Sequence, residues 1–445
     1  MGDWLKMTAL PTSRIHVKSK PLPSKPLSIG GLVGTVGALL ILLLVFTTST
    51  VFVQQAWALQ SFQIGIYAVV AVYLLIGLRK GREELAGEWT AWLVYLIPVW
   101  GIVQLAATTT VSRFETRAEV LRWGSLAGVF FLSQVVTRTP KGRRLFLSVF
   151  LGFATCMAVL CILQIFTSDG KVLWIFSSGY PDVYGSFPNA NNYAQFVEVA
   201  LPIALWRGLR EGGRSWGYTL AGGVLYASVI ASASRAGAVL STAEVVVMLV
   251  IGLVGLRGER NKNRVRSTVA ILLLVPALAG ILTLAVGWQH VWERFKGNDP
   301  FGARKEFFIA AVDMARNRPL TGFGLGTFPE VYQEFAVKDI GMIANHAHND
   351  WAEFAADGGI PFLLLILIPF AAAIPIAFRH PWGLGLVFVM IHACVDYPFP
   401  RPAVSGWMFA VLGALYMASL SDKRRTNAPP DLNRTGVKEM PLQHR

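Results

Sequence analysis

The stretch Asn345-His346-Ala347-His348-Asn349-Asp350-Trp351 puts two histidines and an aspartate at the end of a polar loop, just before an apolar run. Histidine has an ordinary pKa of about 6.5, so His348 could act as a general base toward a hydroxyl near neutral pH. His346, His348 and Asp350 could instead hold a metal ion, although no HExxH or carboxylate-rich set accompanies them. A third reading makes them loop residues that cap the next helix. Titratable groups at the mouth of a membrane span are costly to keep unless something uses them.

Other groups could join such a site. Arg235, in Ser232-Ala233-Ser234-Arg235-Ala236-Gly237, stands between two apolar segments. Its planar fork suits phosphate oxygens, or it snorkels from a helix end. Arg304-Lys305-Glu306 is a charged run in a polar loop, where solvation alone would explain it. Gly322-Phe323-Gly324-Leu325-Gly326 shares only its glycines with a dinucleotide fingerprint and follows no strand, so it reads as a flexible or closely packed turn. Asp350, Glu353 and Asp357 have the spacing of one helix face, to hold a cation or meet water. Glu198 and Glu244 fall in apolar segments and need partners. His392 and Asp396 lie where they can join the histidine cavity. Trp174, Tyr180, Tyr184 and Phe187 suit an interfacial aromatic belt or stacking on sugar rings.

The elements that must position these groups read as membrane helices. The chain has 445 residues, 54% hydrophobic and 15% charged, with mean hydropathy +0.50. Soluble domains carry about 25% charged residues. Apolar blocks of spanning length predict an all-α polytopic membrane protein of about 12 transmembrane helices. They fall near 28–53, 60–78, 88–108, 120–136, 145–166, 192–206, 217–233, 236–256, 267–288, 359–378, 383–397 and 403–420. An even number puts both termini on one side. That side also collects most Lys and Arg, including Arg79, Arg144, Arg207, Arg264 and Lys423, so the positive-inside rule makes it cytoplasmic. The expected organisation is a basic cytoplasmic tail over 1–27, a membrane domain over 28–420 and a cytoplasmic tail over 421–445. The domain includes a large periplasmic loop, 289–358, between spans 9 and 10. In that loop Glu306 to Arg316 suits a helix, and Asn349 can cap a helix starting at Asp350. The tail carries no cleavable signal, because the apolar run after it is too long for one.

The net charge of +14 does not imply nucleic acid, since the basic residues cluster between apolar runs. Cys156, Cys161 and Cys394 lie in apolar stretches without metal-ligand spacing and read as small buried hydrophobes.

Taken together, the motifs resemble the O-antigen ligase and polymerase superfamily of bacterial envelope polysaccharide enzymes. The resemblance runs from about Gly185 to the last span. His348-Asn349, nine residues and Gly359 match the family's His-Asn-x9-Gly, with Asp357 at a position often acidic. Phe362 departs from the small residue or tyrosine usual there. Gly185-Ser186-Phe187-Pro188-Asn189-Ala190-Asn191 is similar to Gly-Thr-Phe-x-Asn-Pro-Asn, without the arginine often found before it. Ser234-Arg235-Ala236-Gly237 is similar to a Ser-Arg-Gly turn. Arg304 and Arg318-Pro319-Leu320-Thr321-Gly322-Phe323-Gly324 resemble the family's arginine and Pro-Leu-x-Gly-x-Gly run.

The resemblance implies a GT-C-type glycosyltransferase that needs no metal or other cofactor. It would sit in the bacterial inner membrane with its active site on the periplasmic side, within lipopolysaccharide biosynthesis. The donor would be a glycan on undecaprenyl diphosphate. The acceptor would be a hydroxyl of lipid A–core in a ligase, or another lipid-linked repeat in a polymerase. His348 would deprotonate the acceptor, and Arg235 and Arg304 would hold the diphosphate. Asn349, Asn189, Asn191, His346 and Asp396 are expected to bind substrate. A lipid-linked glycan transporter is disfavoured, because the polar groups gather on one face and internal repeats are not visible.

Overall fold

The computed structural model describes residues 29–80, 88–178, 182–210, 215–255, 262–286, 302, 304–337, 341 and 344–427. The expected N-terminal tail, residues 428–445, Arg82, Tyr180, Arg214, Arg257 and Arg260 lie outside the described residues, while residues 421–427 of the expected C-terminal tail continue the last helix. The architecture is all-α. Helices α1 (Ile29–Ser49), α2 (Ala56–Lys80), α3 (Trp89–Ala106), α4 (Arg113–Thr137) and α5 (Pro140–Thr167) lead to a two-stranded hairpin of β1 (Lys171–Val172) and β2 (Phe176–Ser177). Helices α6 (Ala190–Arg210), α7 (Ser215–Ala231), α8 (Arg235–Val254) and α9 (Lys262–Val286) follow. The polar loop contains α10 (Arg304–Asn317) and α11 (Phe328–Phe335). The chain then forms α12 (Asp350–Arg379), α13 (Gly385–His392) and α14 (Pro402–Asn427).

Among the described residues nine helices, α1 to α5, α8, α9, α12 and α14, are long and apolar enough to cross a membrane. This makes the chain an all-α multi-pass membrane protein, as expected, with nine of the twelve expected segments meeting that length and composition. The segment near 192–206 forms α6, which packs among α7, α8, α13 and α14 and buries Glu198 and Arg207. A helix enclosed by protein needs no lipid-facing stripe. The segment near 217–233 forms α7, at 17 residues. The segment near 383–397 yields only the eight residues of α13. At 1.5 Å per residue that is about 12 Å, well short of a hydrocarbon core of about 30 Å.

Helix α14 is the inner column, buried throughout Ala403–Ser419. Trp407 stacks on Phe150 of α5, ring centroids 4.1 Å apart, and its Nε1 donates to Thr48 Oγ1 of α1 at 2.9 Å. A second aromatic core joins Trp123, Phe354, Phe362, Phe370, Phe399 and Phe409. Phe362, the departure from the family pattern, packs edge-on to Trp123 here. Tyr184 and Phe187 are buried rather than interfacial, against Tyr193 and Phe196. Trp174 is exposed as a belt residue would be. Of the cysteines only Cys161 is buried, and Cys156 and Cys394 are exposed.

Helix α12 breaks at Gly359, where φ is +72° and ψ 177°. Pro361 follows and lacks an N–H, so the carbonyls before the break need other donors. Donors come from two places. Phe323 N donates to Ala356 O at 3.0 Å and Gly324 N to Asp357 O at 2.8 Å. From α3, Gln104 Nε2 donates to Asp357 O at 2.9 Å and Trp100 Nε1 to Gly358 O at 2.8 Å. The glycine run after Arg318 is therefore a closely packed turn docked on the helix break. A Cβ on Gly322, at φ +62°, would collide with the Asp357 carbonyl.

Candidate active site

Three helix starts and one turn converge on the site. Asn189 begins α6 by accepting from Asn191 N at 2.8 Å and Asn192 N at 3.4 Å, the bonds of an N-cap. Ser234 caps α8, accepting from Gly237 N at 3.1 Å. It is preceded by Ala233 at φ +54°, which turns the chain sharply out of α7. Asn349 caps α12, its Oδ1 accepting from Ala352 N at 3.0 Å. Capping gives each polar side chain a fixed backbone reference. It also aims the N-terminal, positive end of each helix at one region.

The turn Ala393–Asp396 ties these starts together. It follows the end of α13, where carbonyls lack helical partners. Ala393 O accepts from Asp350 N at 2.9 Å. Cys394 O accepts from Asn349 Nδ2 at 2.8 Å. Val395 O accepts from Arg304 Nη1 at 3.2 Å. The Asp396 carboxylate lies at the centre with only 1% of its side chain exposed. It accepts from Tyr397 N at 3.0 Å and from Asn191 Nδ2. Arg304 Nη2 stands 3.9 Å from Oδ2, and His348 Nδ1 stands 3.3 Å from Oδ1. Asn191 Oδ1 in turn accepts from Ser234 Oγ at 2.7 Å. A continuous polar chain thus runs from Ser234, beside Arg235, through Asn191 to Asp396, and on to His348 and Arg304.

Burial alone would raise the Asp396 pKa. Contact with His348 and the positive charge of Arg304 and His392 outweigh it and hold the carboxyl below the usual aspartate range. The group is therefore a fixed negative charge at neutral pH.

His348 adopts a left-handed backbone, φ +51°, uncommon for a residue with a Cβ. Its ring lies flat against Phe307 and edge-on to Tyr397 at 4.8 Å. Nδ1 is buried without a hydrogen bond among the described residues, and Asp396 Oδ1 stands 3.3 Å from it as an ion-pair contact. A proton on Nδ1, toward the carboxylate, leaves Nε2 with the lone pair. About a fifth of the side chain remains exposed, so an incoming hydroxyl can reach the ring.

His346 turns elsewhere. Its Nδ1 donates to Glu353 Oε1 at 2.9 Å and its ring stacks on Tyr397 at 4.5 Å. The two histidines thus serve different carboxylates, and among the described residues no three His, Cys, Asp or Glu side chains converge as a metal set.

Arg235 is half-buried and, among the described residues, carries no hydrogen bond or ion pair. Its neighbour Ser234 is tied down while its own fork is left open. Arg304 opens α10 with roughly a third of its side chain exposed.

The acidic face of α12 is not a cation site. Asp350 Oδ2 accepts from Phe399 N at 3.0 Å, Glu353 Oε2 from Ala347 N at 2.7 Å and Asp357 Oδ2 from Gly326 N at 2.8 Å. These buried acids hold loop backbone instead. Glu198 has the expected partner, His392, whereas Glu244 has no hydrogen-bond partner among the described residues. His392 itself is fully buried.

Sequence reasoning missed Arg122, a buried arginine whose Nη1 donates to Phe399 O at 2.7 Å and fixes the turn after Asp396. An arginine inside an otherwise apolar span was the available signal. It also missed Ser234 as a link, and Gln104, which stitches the helix break.

Residues 220–367 match a family model described as O-antigen ligase. The match spans most of α7, helices α8 to α11 and the broken start of α12, and so includes Arg235, Arg304 and His348. The match covers about a third of the chain and supports the likeness of this region to the O-antigen ligase superfamily. No curated protein matches the chain.

Proposed function

We propose that this protein is a ligase that moves a glycan from undecaprenyl diphosphate to a hydroxyl of lipid A–core, without a metal ion, at the periplasmic face of the bacterial inner membrane. The observation that carries the reading is the sharing of Asp396 by His348, Arg304 and Asn191, which links the base, one cation and the turn bearing the other. The acceptor oxygen attacks the anomeric carbon as the bond to the diphosphate oxygen breaks. His348 Nε2 takes the hydroxyl proton, and the imidazolium is stabilised by Asp396 before it releases the proton to water. The departing diphosphate gains charge, and Arg235 and Arg304 are the cations available to it. Preorganised donors aimed at developing charge lower the barrier without reorganising. Two guanidinium forks supply the charge that a divalent ion supplies in other transferases.

The test is the product. Purified protein receives an undecaprenyl-diphosphate glycan with lipid A–core, or with no second acceptor, each with and without EDTA. Transfer to the core that survives EDTA is expected. Lengthening of the lipid-linked glycan instead identifies a polymerase using the same donor chemistry. Loss of activity in EDTA that added metal restores overturns the metal-free reading.

A further inference from the structure

Below the turn lies a buried pair that the proposed reaction does not touch. His392 Nδ1 donates to Glu198 Oε1 at 2.8 Å, and neither side chain is exposed. Burying two ionisable groups is rarely a net gain in stability, and registry is the best-attested reason to keep such a pair. Here there is a registry to keep. Helix α13 is too short for the bilayer to fix its depth. Its start presses on α6, where a Cβ at Gly385 would collide with Glu198 O. Its end is His392, whose own carbonyl accepts from Val395 N at 2.9 Å and Asp396 N at 3.1 Å. The His392 backbone therefore sets where the Asp396 side chain begins. His392 itself makes one side-chain bond to α6, because its Nε2 is buried without a partner among the described residues, and Asn191 of the same helix meets the Asp396 carboxylate further along the turn.

We propose that His392 and Glu198 are a positioning pair that locks the turn Ala393–Asp396 to α6 and thereby aims Asp396 at His348 and Arg304. The proposal rests on the reading of His348 as base and Asp396 as its partner. Neither His392 nor Glu198 meets the substrate. A displacement of about 1 Å at a reacting group can cost roughly 100-fold in rate, so the pair acts on turnover rather than binding.

Two measurements test this on the full chain. In the transfer assay, His392→Phe and Glu198→Leu lower kcat roughly 10- to 100-fold while the donor KM stays within about two-fold. Glu198→Gln, which still accepts from Nδ1, restores most of kcat. Glu244→Gln, buried nearby on α8 without a bond to the turn, leaves kcat unchanged. Combined with Asp396→Asn, His392→Phe causes little further loss, because both act through one carboxylate. Full additivity, or a loss confined to KM, overturns the proposal. The second measurement needs no activity. In a Cys156→Ser background, maleimide labels the exposed Cys394 in the turn faster in His392→Phe than in the parent. An unchanged rate overturns the proposal. If His348→Ala still transfers glycan, the proposed function falls, and the Cys394 rate still decides whether His392 orders the turn.

Discussion

His348 and Asp396 come from segments separated by a whole membrane span, yet Nδ1 of one stands 3.3 Å from Oδ1 of the other. The chain reaches this by a left-handed residue at His348 and a turn at 393–396. The carboxylate lies close enough to offset the ring's charge once it is protonated. His348→Ala should abolish transfer while the protein still inserts and purifies. Retained transfer by a well-folded variant removes the base from the mechanism.

Asp396→Asn should lower kcat, because the ring that takes the proton loses the anion standing 3.3 Å from its Nδ1. Stability carries its own sign. The Asp396 pKa is depressed in the folded state. Its contribution is thus fully present above the ordinary value of 3.8 and is lost as pH falls through the lower folded value. Unfolding curves of the parent and Asp396→Asn should therefore differ at pH 6 to 7 (about neutral) and converge only in stronger acid.

Arg235 keeps an open fork among the described residues, and Arg304 shares its own with Val395 O and Asp396. Lysine keeps the charge but not two parallel donors. Arg235→Lys should lower kcat roughly 100-fold with little change in unfolding temperature, since removing one oxyanion donor costs about that much. Near-normal turnover in Arg235→Lys reduces this residue to a charged helix end.

Asn189 and Asn191 should separate cleanly. Asn189→Ala removes a helix cap and should cost about 1 kcal/mol of stability, with turnover per folded molecule nearly kept. Asn191→Ala cuts the link between Ser234 and Asp396, and should lower turnover by about ten-fold or more. Equal effects of the two on turnover contradict this division.

Gly322→Ala places a Cβ against the Asp357 carbonyl at a positive φ. It should destabilise by about 1–3 kcal/mol or more and loosen the break in α12. Thermal unfolding in detergent checks this, with Gly280→Ala, where nothing lies within 4 Å of the new Cβ, as the neutral comparison.

Much of this was legible in the sequence because it is written in local chemistry. Apolar blocks declare helices that face lipid, and Asn349, by type and place, declares the start of α12. The order of His348, Arg235 and Arg304 among glycine and proline turns marked the residues that resemble the family. Folding decided the rest. Period and composition cannot distinguish α6, enclosed by protein, from a lipid-facing span, because enclosure depends on neighbours far along the chain. Nor can they show that Asp350, Glu353 and Asp357 bind backbone rather than a cation, since the donors come from Phe399, Ala347 and Gly326. Asn189 and Asn191 are two residues apart and look alike, yet one caps its own helix and the other reaches Asp396 across 205 positions of chain. The sequence by itself determined which helices form and which side chains carry charge, through preferences that act within a few residues. Only the tertiary structure decided which of those charges meet, because an eight-residue helix and a four-residue turn are placed by packing and not by their own propensity.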